Sequence, residues 1–239
     1  MTRPTLFAHP LSLFSRKLHL VLLFQGIEHD YRMTAPHADD PEFAAASPLG
    51  KIPAFKDEHI ALADSSVIAH YLDKFYGGNK LMPESRAGYA RALWFEEYAD
   101  TVMAPIIGFH LYAEMVLAER VFKRPPDAGD IDKAVNKELP GVYKFLDGEL
   151  SGRQWLAGDN VTIADIAVGG LLLTLYHCKQ TVPDSAPQLR SFAERFFELA
   201  PVRQVLAQEV TTLQAIKYDT PLAQCGADGV PVVLRRRGT

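Results

Sequence analysis

Two serine hydroxyls near the N-terminus lie where a strand pattern gives way to a helix pattern. Ser12 and Ser15 follow a short apolar run at residues 5–8 and precede residues with helical spacing. Backbone N–H groups at a helix start have no partner within the helix, and the helix dipole is positive there. This position therefore favours an anion such as a thiolate. The plainer alternative is that one serine only caps the helix.

A second segment, Lys51-Ile52-Pro53, comes directly before a short strand whose partner follows at once. The proline indicates a constrained bond of the kind that can be cis. Such a bond would turn the backbone N–H and C=O of Ile52 outward, where an added peptide strand could pair with them. The alternative is an ordinary loop proline. The Gly50-Lys51 pair lacks the spacing of a phosphate loop, so we exclude a nucleotide site of that kind.

A third segment, Asp64-Ser65-Ser66, opens the next predicted helix. Backbone N–H groups and a serine hydroxyl can hold a carboxylate at a helix start, while Asp64 can pair with an ammonium group. Together they suit the α-amino-acid end of a γ-glutamyl peptide. A simple helix cap is again the alternative.

The elements that must position these segments follow the order β-α-β-loop-β-β-α. Apolar spacing predicts strands at residues 5–8, 29–33, 48–55 and 60–63, and helices at residues 15–25 and from residue 64 onward. We assign residues 1–76 to this first domain and residues 77–85, rich in Gly and Pro, to a linker.

The rest of the chain is predicted to be almost entirely helical. Helices are expected at residues 86–121, 130–150, 162–178 and 187–197, with a break in the first of them near Pro105. Thr162 and Asp165 have the spacing of a capping box at a helix start. This all-α domain covers residues 86–217, and residues 218–239 are expected to form an irregular tail. The fold class is therefore α+β.

Composition excludes several classes of protein. The chain has 239 residues, a formal net charge of −4 and two cysteines, Cys178 and Cys225. Near-balanced charge gives no reason to expect nucleic acid or an anionic membrane as partner, and two cysteines cannot form a disulfide framework or zinc cluster. We expect no metal. The start of the chain reaches His9 and Pro10 too soon for a secretory apolar core, so we expect a cytoplasmic protein.

Taken together and in order, these segments resemble the cytosolic glutathione transferase superfamily. The resemblance covers roughly residues 5–217 and is carried by residues 9–17, 48–53, 63–72 and 158–165. It implies a thioredoxin-like N-terminal domain, an all-α C-terminal domain and a homodimer. It also implies glutathione as co-substrate.

The resemblance assigns a role to each matching residue. Ser12 matches the catalytic serine of theta-like classes, and Ser15 is the second candidate; neither position carries a redox cysteine. Pro53 matches the family's cis-proline and Ile52 the residue that pairs with the cysteinyl part of glutathione. The γ-glutamyl end would contact Asp64 and Ser65, and the glycine carboxylate would be approached by Lys51 and, more weakly, by His37.

By the same resemblance, an electrophile would bind between the two domains. The expected walls are apolar or aromatic, namely Pro10, Leu11, Phe14, Met103, Ile107, Phe109, Tyr112 and Met115. The leading hypothesis is that glutathione thiolate attacks a small hydrophobic electrophile. Glutathione-dependent peroxidase or isomerase activity, and a non-catalytic interaction module that keeps the fold, are the alternatives.

Overall fold

The N-terminal part of the protein is built on a four-stranded mixed sheet. The computed structural model describes residues 3–76 and 80–223. The strands are β1 (Thr5–Ala8), β2 (Asp30–Met33), β3 (Ala54–Lys56) and β4 (Ala61–Ala63), in the order β2-β1-β3-β4. β1 pairs with β2 in parallel, and the β1–β3 and β3–β4 pairs are antiparallel. The predicted order of four strands and two helices is confirmed, and the predicted loop between β2 and β3 contains one further helix.

Three helices complete this part. They are α1 (Leu13–Phe24), α2 (Pro41–Ala46) and α3 (Ser65–Phe75). The helix α2 lies within the predicted loop; its N-cap is Asp40, and its first residue is Pro41. The parallel β1–β2 pair requires a crossover, and α1 supplies it. Because α1 packs against α3, α7 and α9, it lies at the junction with the helical part of the chain.

The C-terminal part is helical, as predicted. It contains α4 (Arg86–Tyr98), a π-helix (Ala99–Leu117), α5 (Ala128–Lys133), a π-helical turn (Ala134–Glu138), α6 (Leu139–Glu149), α7 (Ile163–His177), α8 (Pro187–Glu198) and α9 (Ala200–Ala215). The helix α9 lies beyond the last individually predicted helix, at residues 187–197. The α7 helix is buried along its whole length and forms the centre of the core. The predicted capping box at its start is confirmed.

The predicted break at Pro105 is wrong. The α4 helix continues directly into the π-helix, which carries Pro105 inside it. In an α-helix a proline ring clashes with the carbonyl of residue i−4, whereas π-helical hydrogen bonds span one residue more. The change of hydrogen-bond pattern at Ala99 thus accommodates the proline without ending the helix.

The segment after α9 is ordered at its start. Tyr218, Thr220 and Leu222 are buried, and Pro221–Ala223 forms a short 3₁₀ turn. The expected irregular tail beyond it, with Cys225, lies outside the described residues, as do residues 77–79 of the linker. Within the described residues, no helix combines the length and the apolar character that crossing a bilayer requires. The domain boundaries stay a prediction.

Candidate functional site

An open groove of about 840 Å³ lies between the sheet end of the N-terminal part and the start of the π-helix. Five of the residues predicted to contact glutathione line it, namely Lys51, Ile52, Pro53, Asp64 and Ser65. The fold therefore brings residues 51–53 together with residues 64–65, which are separate in sequence. Phe14 on the first turn of α1 lines the same groove, and so do Glu97 and Asp100 from the helical part.

The loop before β3 presents its backbone to this groove. The Ile52–Pro53 peptide bond is cis, which confirms that part of the prediction. Ser47 Oγ donates to the carbonyl of Lys51 (2.7 Å) and fixes the approach of the loop. Among the described residues, the N–H and C=O of Ile52 have no hydrogen-bond partner. An extended peptide could use both groups.

His37 lies beside the loop that carries Lys51. It is exposed, and its backbone N–H donates to the carbonyl of Gly50 (2.8 Å). Its ring packs against the α-carbon of Gly50, where a Cβ would lie 2.2 Å from His37 Nδ1. Gly50 also has φ of 63°, so glycine is favoured there for two reasons. The described residues that line the groove do not include His37.

Asp64 combines a helix cap with a strained backbone. Its φ of 99° lies in the left-handed region that non-glycine residues rarely adopt. Its Oδ1 accepts hydrogen bonds from the N–H groups of Ser66 (3.0 Å) and Val67 (3.1 Å), which caps α3. Such strain is concentrated at ligand clamps, and Asp64 lines the groove, so its conformation supports a binding role beyond capping.

The two candidate serines differ in exposure and in hydrogen bonding. Ser12 is half-buried and caps α1 by accepting from the N–H of Ser15 (3.3 Å). Because this bond uses only an oxygen lone pair, the hydroxyl proton of Ser12 can still be donated. Ser15 is only 1% exposed, and its hydroxyl accepts from the N–H of His9 (3.3 Å). Ser12 is therefore the more accessible hydroxyl, although neither serine is among the described residues that line the groove.

A buried ion cluster beneath the groove was not anticipated from the sequence. Lys17 Nζ, on α1, donates to Asp100 Oδ2 (2.6 Å), Ser66 Oγ (2.9 Å) and Glu96 Oε1 (3.2 Å). His70 Nε2 and Glu96 Oε2 are 3.0 Å apart, and this hydrogen bond raises the pKa of His70. Burial opposes ionisation of Glu96, but the hydrogen bond from His70 and the charge of Lys17 leave its pKa below the usual value.

This cluster ties α1 to both α3 and the helical part. Asp100 also accepts from Ser66 Oγ (3.1 Å), so one carboxylate oxygen is shared between a lysine and a serine. The local sequence gave no signal for it, since Lys17, Ser66 and Asp100 meet only in the folded chain. Within the described residues, no group of three or more His, Cys, Asp and Glu side chains could hold a metal ion.

Most of the predicted electrophile walls are not exposed to a ligand. Met103 and Ile107 are 0% exposed and Tyr112 is 2% exposed, because all three face the hydrophobic core. We therefore correct their assignment from ligand walls to core residues. The remaining predicted wall residues divide into buried ones (Pro10 and Leu11), half-buried ones (Phe14 and Met115) and an exposed one (Phe109).

Comparison with known proteins agrees with the fold. A family model described as "Glutathione S-transferase, N-terminal domain" matches residues 6–80, and "Glutathione S-transferase, C-terminal domain" matches residues 112–200. A crystal structure of a glutathione S-transferase from Rhodospirillum rubrum superposes with a TM-score of 0.78 at 21% identity, covering 85% of this chain and 91% of that one.

Curated relatives fall into two groups. Elongation factor 1-gamma-A of Xenopus laevis is 28% identical over 204 residues, which are 82% of this chain and 44% of that protein. A glutathione S-transferase of Triticum aestivum is 24% identical over 166 residues, 70% of this chain and 75% of that protein. The chain spans less than half the length of the elongation factor relatives it matches. The two family models and the shared fold show that this chain belongs to the cytosolic glutathione S-transferase superfamily.

Proposed function

We propose that this protein is a glutathione transferase that binds glutathione in the groove and uses Ser12 to stabilise its thiolate. The observation that carries the proposal is the convergence of Ile52, cis-Pro53, Asp64 and Ser65 on one groove beside the first turn of α1. Each piece alone has a structural explanation. Their convergence provides an unpaired backbone edge and a helix start that together match a γ-glutamyl peptide.

The two ends of the peptide would be held by different chemistry. The backbone of Ile52 would pair with the cysteinyl residue. The N–H and hydroxyl of Ser65, at the start of α3, would hold the γ-glutamyl carboxylate, because the next two N–H groups are already capped by Asp64. The carboxylate of Asp64 would also accept from the ammonium group of the peptide. Lys51, on the groove wall, would approach the glycine carboxylate. His37, whose exposed ring lies against Gly50 next to Lys51, is the weaker candidate for the same carboxylate.

The energy required of Ser12 is modest. A free thiol has a pKa of about 8.5, and lowering it by about two units needs roughly 2.7 kcal/mol of preferential thiolate stabilisation. A hydrogen bond to a charged group contributes roughly 1.5–3 kcal/mol. One hydroxyl donor at the N-terminus of α1, where the helix dipole also favours an anion, is therefore sufficient.

The test is a titration of bound glutathione, following thiolate absorbance, in wild type, Ser12→Ala and Ser15→Ala. We expect Ser12→Ala to raise the thiolate pKa by about one to two units, because one charge-assisted hydrogen bond is lost. Ser15→Ala should leave it nearly unchanged, since the Ser15 hydroxyl is buried. An unchanged pKa in Ser12→Ala would remove Ser12 from the mechanism, and a shift confined to Ser15→Ala would assign the role to Ser15.

A second candidate function is a non-catalytic interaction module. The similarity to Elongation factor 1-gamma-A favours it, because that name denotes a translation factor. The two hypotheses differ in glutathione binding, which calorimetry measures directly. Saturable binding that is weakened in Asp64→Ala supports the transferase, and absence of binding supports the module. Glutathione-dependent peroxidase or isomerase activity would be separated from conjugation by product analysis.

The proposal includes a cytoplasmic homodimer. Members of the superfamily typically dimerise, and light scattering at micromolar concentration would measure the mass. A monomeric mass would contradict this part of the proposal without affecting the glutathione site.

A further inference from the structure

A second open pocket, of about 510 Å³, lies between α1, α9 and the segment that enters β2. None of the described residues that line it also lines the groove proposed for glutathione. Its volume is within the range of roughly 300–1,000 Å³ that small-molecule sites occupy. The proposed transferase reaction uses none of its residues.

Three aromatic rings form one wall of this pocket. The ring of His19, on α1, packs edge-to-face with His29 (5.3 Å between ring centroids) and tilted against Tyr31 (4.9 Å). Edge-to-face and offset contacts are the favourable ones between π systems. A flat aromatic ligand can extend this packing, whereas a flexible aliphatic ligand cannot.

The central ring of this wall is buried and has no hydrogen-bond partner. His19 is only 7% exposed, and its ring forms no hydrogen bond with any residue that the structure describes. Burial, and to a smaller extent the nearby His29, lowers the pKa of His19 to about 4, so the ring is neutral near pH 7. A neutral imidazole carries one donor and one acceptor. Because buried polar groups are almost always paired in proteins, this ring is suited to a ligand that pairs with it.

Further uncharged polar groups line the pocket. The carboxamides of Gln204 and Gln208 are one turn apart on α9, and like the Tyr31 hydroxyl they have no hydrogen-bond partner within the described ranges. His29 Nδ1 lies 2.9 Å from the carbonyl of Ile27, so Nδ1 carries the proton and Nε2 of the neutral ring is left as an acceptor. A glutamine carboxamide can pair with a donor and an acceptor that lie side by side on the edge of a flat ring, as it does with adenine.

The pocket offers no free charge to an ionic ligand. Apart from the histidines, the charged residues among its described walls are Arg3 and Glu28, and their side chains pair with each other (2.8 Å). The Tyr31 phenol stays protonated, because burial raises its pKa. A phosphate or carboxylate group would find no unpaired arginine or lysine on these walls, so an uncharged ligand is favoured.

We propose that this pocket binds a purine nucleoside or its free base, an uncharged planar heterocycle with a donor and an acceptor side by side. The base packs on the aromatic wall, and its edge pairs with a carboxamide of α9 and with the ring of His19. This inference goes beyond the proposed transferase function, and the bound molecule takes no part in that reaction.

The test is equilibrium dialysis of the full chain with radiolabelled adenosine near neutral pH. We expect a dissociation constant below about 1 mM, which saturating glutathione leaves unchanged because the two sites share no lining residue. Purine riboside has the same shape but lacks the amino donor, and it should compete at least about fivefold less well than unlabelled adenosine. AMP should compete no better than adenosine, because its phosphate gains no free cation.

Two variants remove the groups that pair with the base. His19→Phe keeps an aromatic ring in the wall, and the double variant Gln204→Met/Gln208→Met keeps the length of both side chains. Each should weaken adenosine binding at least about fivefold. The matched control is Gln214→Met, on α9 but outside the pocket, which should change the affinity less than about twofold. Because Gln204 is exposed and Gln208 half-buried, the double variant serves if His19→Phe does not fold.

The outcomes decide the proposal separately from the glutathione site. Absence of adenosine binding at millimolar concentration, or displacement of adenosine by glutathione, would overturn it. Equal affinity for purine riboside and adenosine, or unchanged affinity in the double glutamine variant, would overturn it as well. Failure of glutathione itself to bind would count against the proposed transferase and leave the evidence on this pocket intact.

Discussion

Arg16 should contribute more to stability than any surface ion pair of this protein. Arg16 is only 3% exposed. Its guanidinium donates to both carboxylate oxygens of Glu209, one of them at 2.9 Å, to the carbonyl of Gly170 (2.6 Å) and to the hydroxyl of Thr174. Glu209 Oε2 also lies 3.0 Å from His177 Nε2. This cluster joins α1 to α7 and α9, so it fastens the sheet-bearing part to the helical part.

Replacing Arg16 by Met keeps an unbranched apolar stem and removes the charged guanidinium. Glu209 then remains fully buried, with His177 as its remaining partner in the cluster. Burial opposes ionisation of Glu209, and the charge of Arg16 is the largest effect that keeps its pKa below the usual value. Removing one partner of a buried ion pair lowers the free energy of unfolding by about 3–5 kcal/mol. For a chain of this length that corresponds to a fall in Tm of roughly 6–20 °C.

Urea denaturation of the wild type, Arg16→Met, Glu209→Gln, the double variant and one control variant tests this reasoning. We expect Arg16→Met to lose about 3–5 kcal/mol and the double variant Arg16→Met/Glu209→Gln to lose clearly less than the sum of the single changes, because no unpaired charge remains. The control is Arg3→Met, which breaks the exposed Arg3–Glu28 pair and should cost about 1 kcal/mol or less. A loss below about 1 kcal/mol in Arg16→Met, or strict additivity in the double variant, would refute the argument.

Three other predictions concern single side chains. Burial raises the pKa of the Cys178 thiol, so this thiol should be unreactive in the folded protein. In a Cys225→Ser variant, we expect iodoacetamide to label Cys178 only as fast as the chain unfolds. Rapid labelling of the native variant would contradict this prediction. His70 has a raised pKa, so the stability it contributes is present below its ordinary value of 6.5 and is lost as pH rises through the folded value. His70→Gln should therefore cost up to about 1 kcal/mol near pH 6 and less near pH 9, and equal losses by urea titration would argue against the charge interaction. Asp165→Ala removes the hydrogen bonds that the carboxylate accepts from the N–H of Leu156 (2.7 Å) and from the N–H and hydroxyl of Thr162 (2.8 and 2.7 Å). The free energy of unfolding should therefore fall by about 2–4 kcal/mol. A fall of less than about 0.5 kcal/mol would show that the cap is dispensable.

Local patterns were enough to predict most of the fold. Short apolar runs identified the strands, and the Thr162–Asp165 spacing identified the start of α7. The two helices that were missed had local signals as well. Asp40 and Pro41 form an N-cap and N1 pair before α2, and α9 places Val202, Val205, Leu206 and Leu213 on its buried face.

Sequence motifs predict only those parts of the site whose geometry is set by residues that are neighbours in the chain. The cis bond before Pro53 and the cap at Asp64 depend on neighbouring residues, and both follow from short motifs. Helical spacing, by contrast, shows that Met103 and Ile107 face inward but cannot tell a packed core from a ligand cavity. The position of Lys17 beneath the groove depends on three elements that meet only after folding.

The two neighbouring cations of α1 explain how a helix cap can be placed accurately enough for chemistry. Consecutive helical residues diverge by about 100° around the axis, so Arg16 and Lys17 project to different sides. Arg16 reaches Glu209 of α9, and Lys17 reaches Asp100 of the π-helix. Both cations are buried, so these ion pairs are poorly screened by solvent and have little freedom to shift. Ser12 stands one turn before them, and a reactive group must be held within about 0.5 Å to act. In the proposed enzyme, the position of the Ser12 hydroxyl is therefore set by the junction between the two parts of the chain as well as by its own cap.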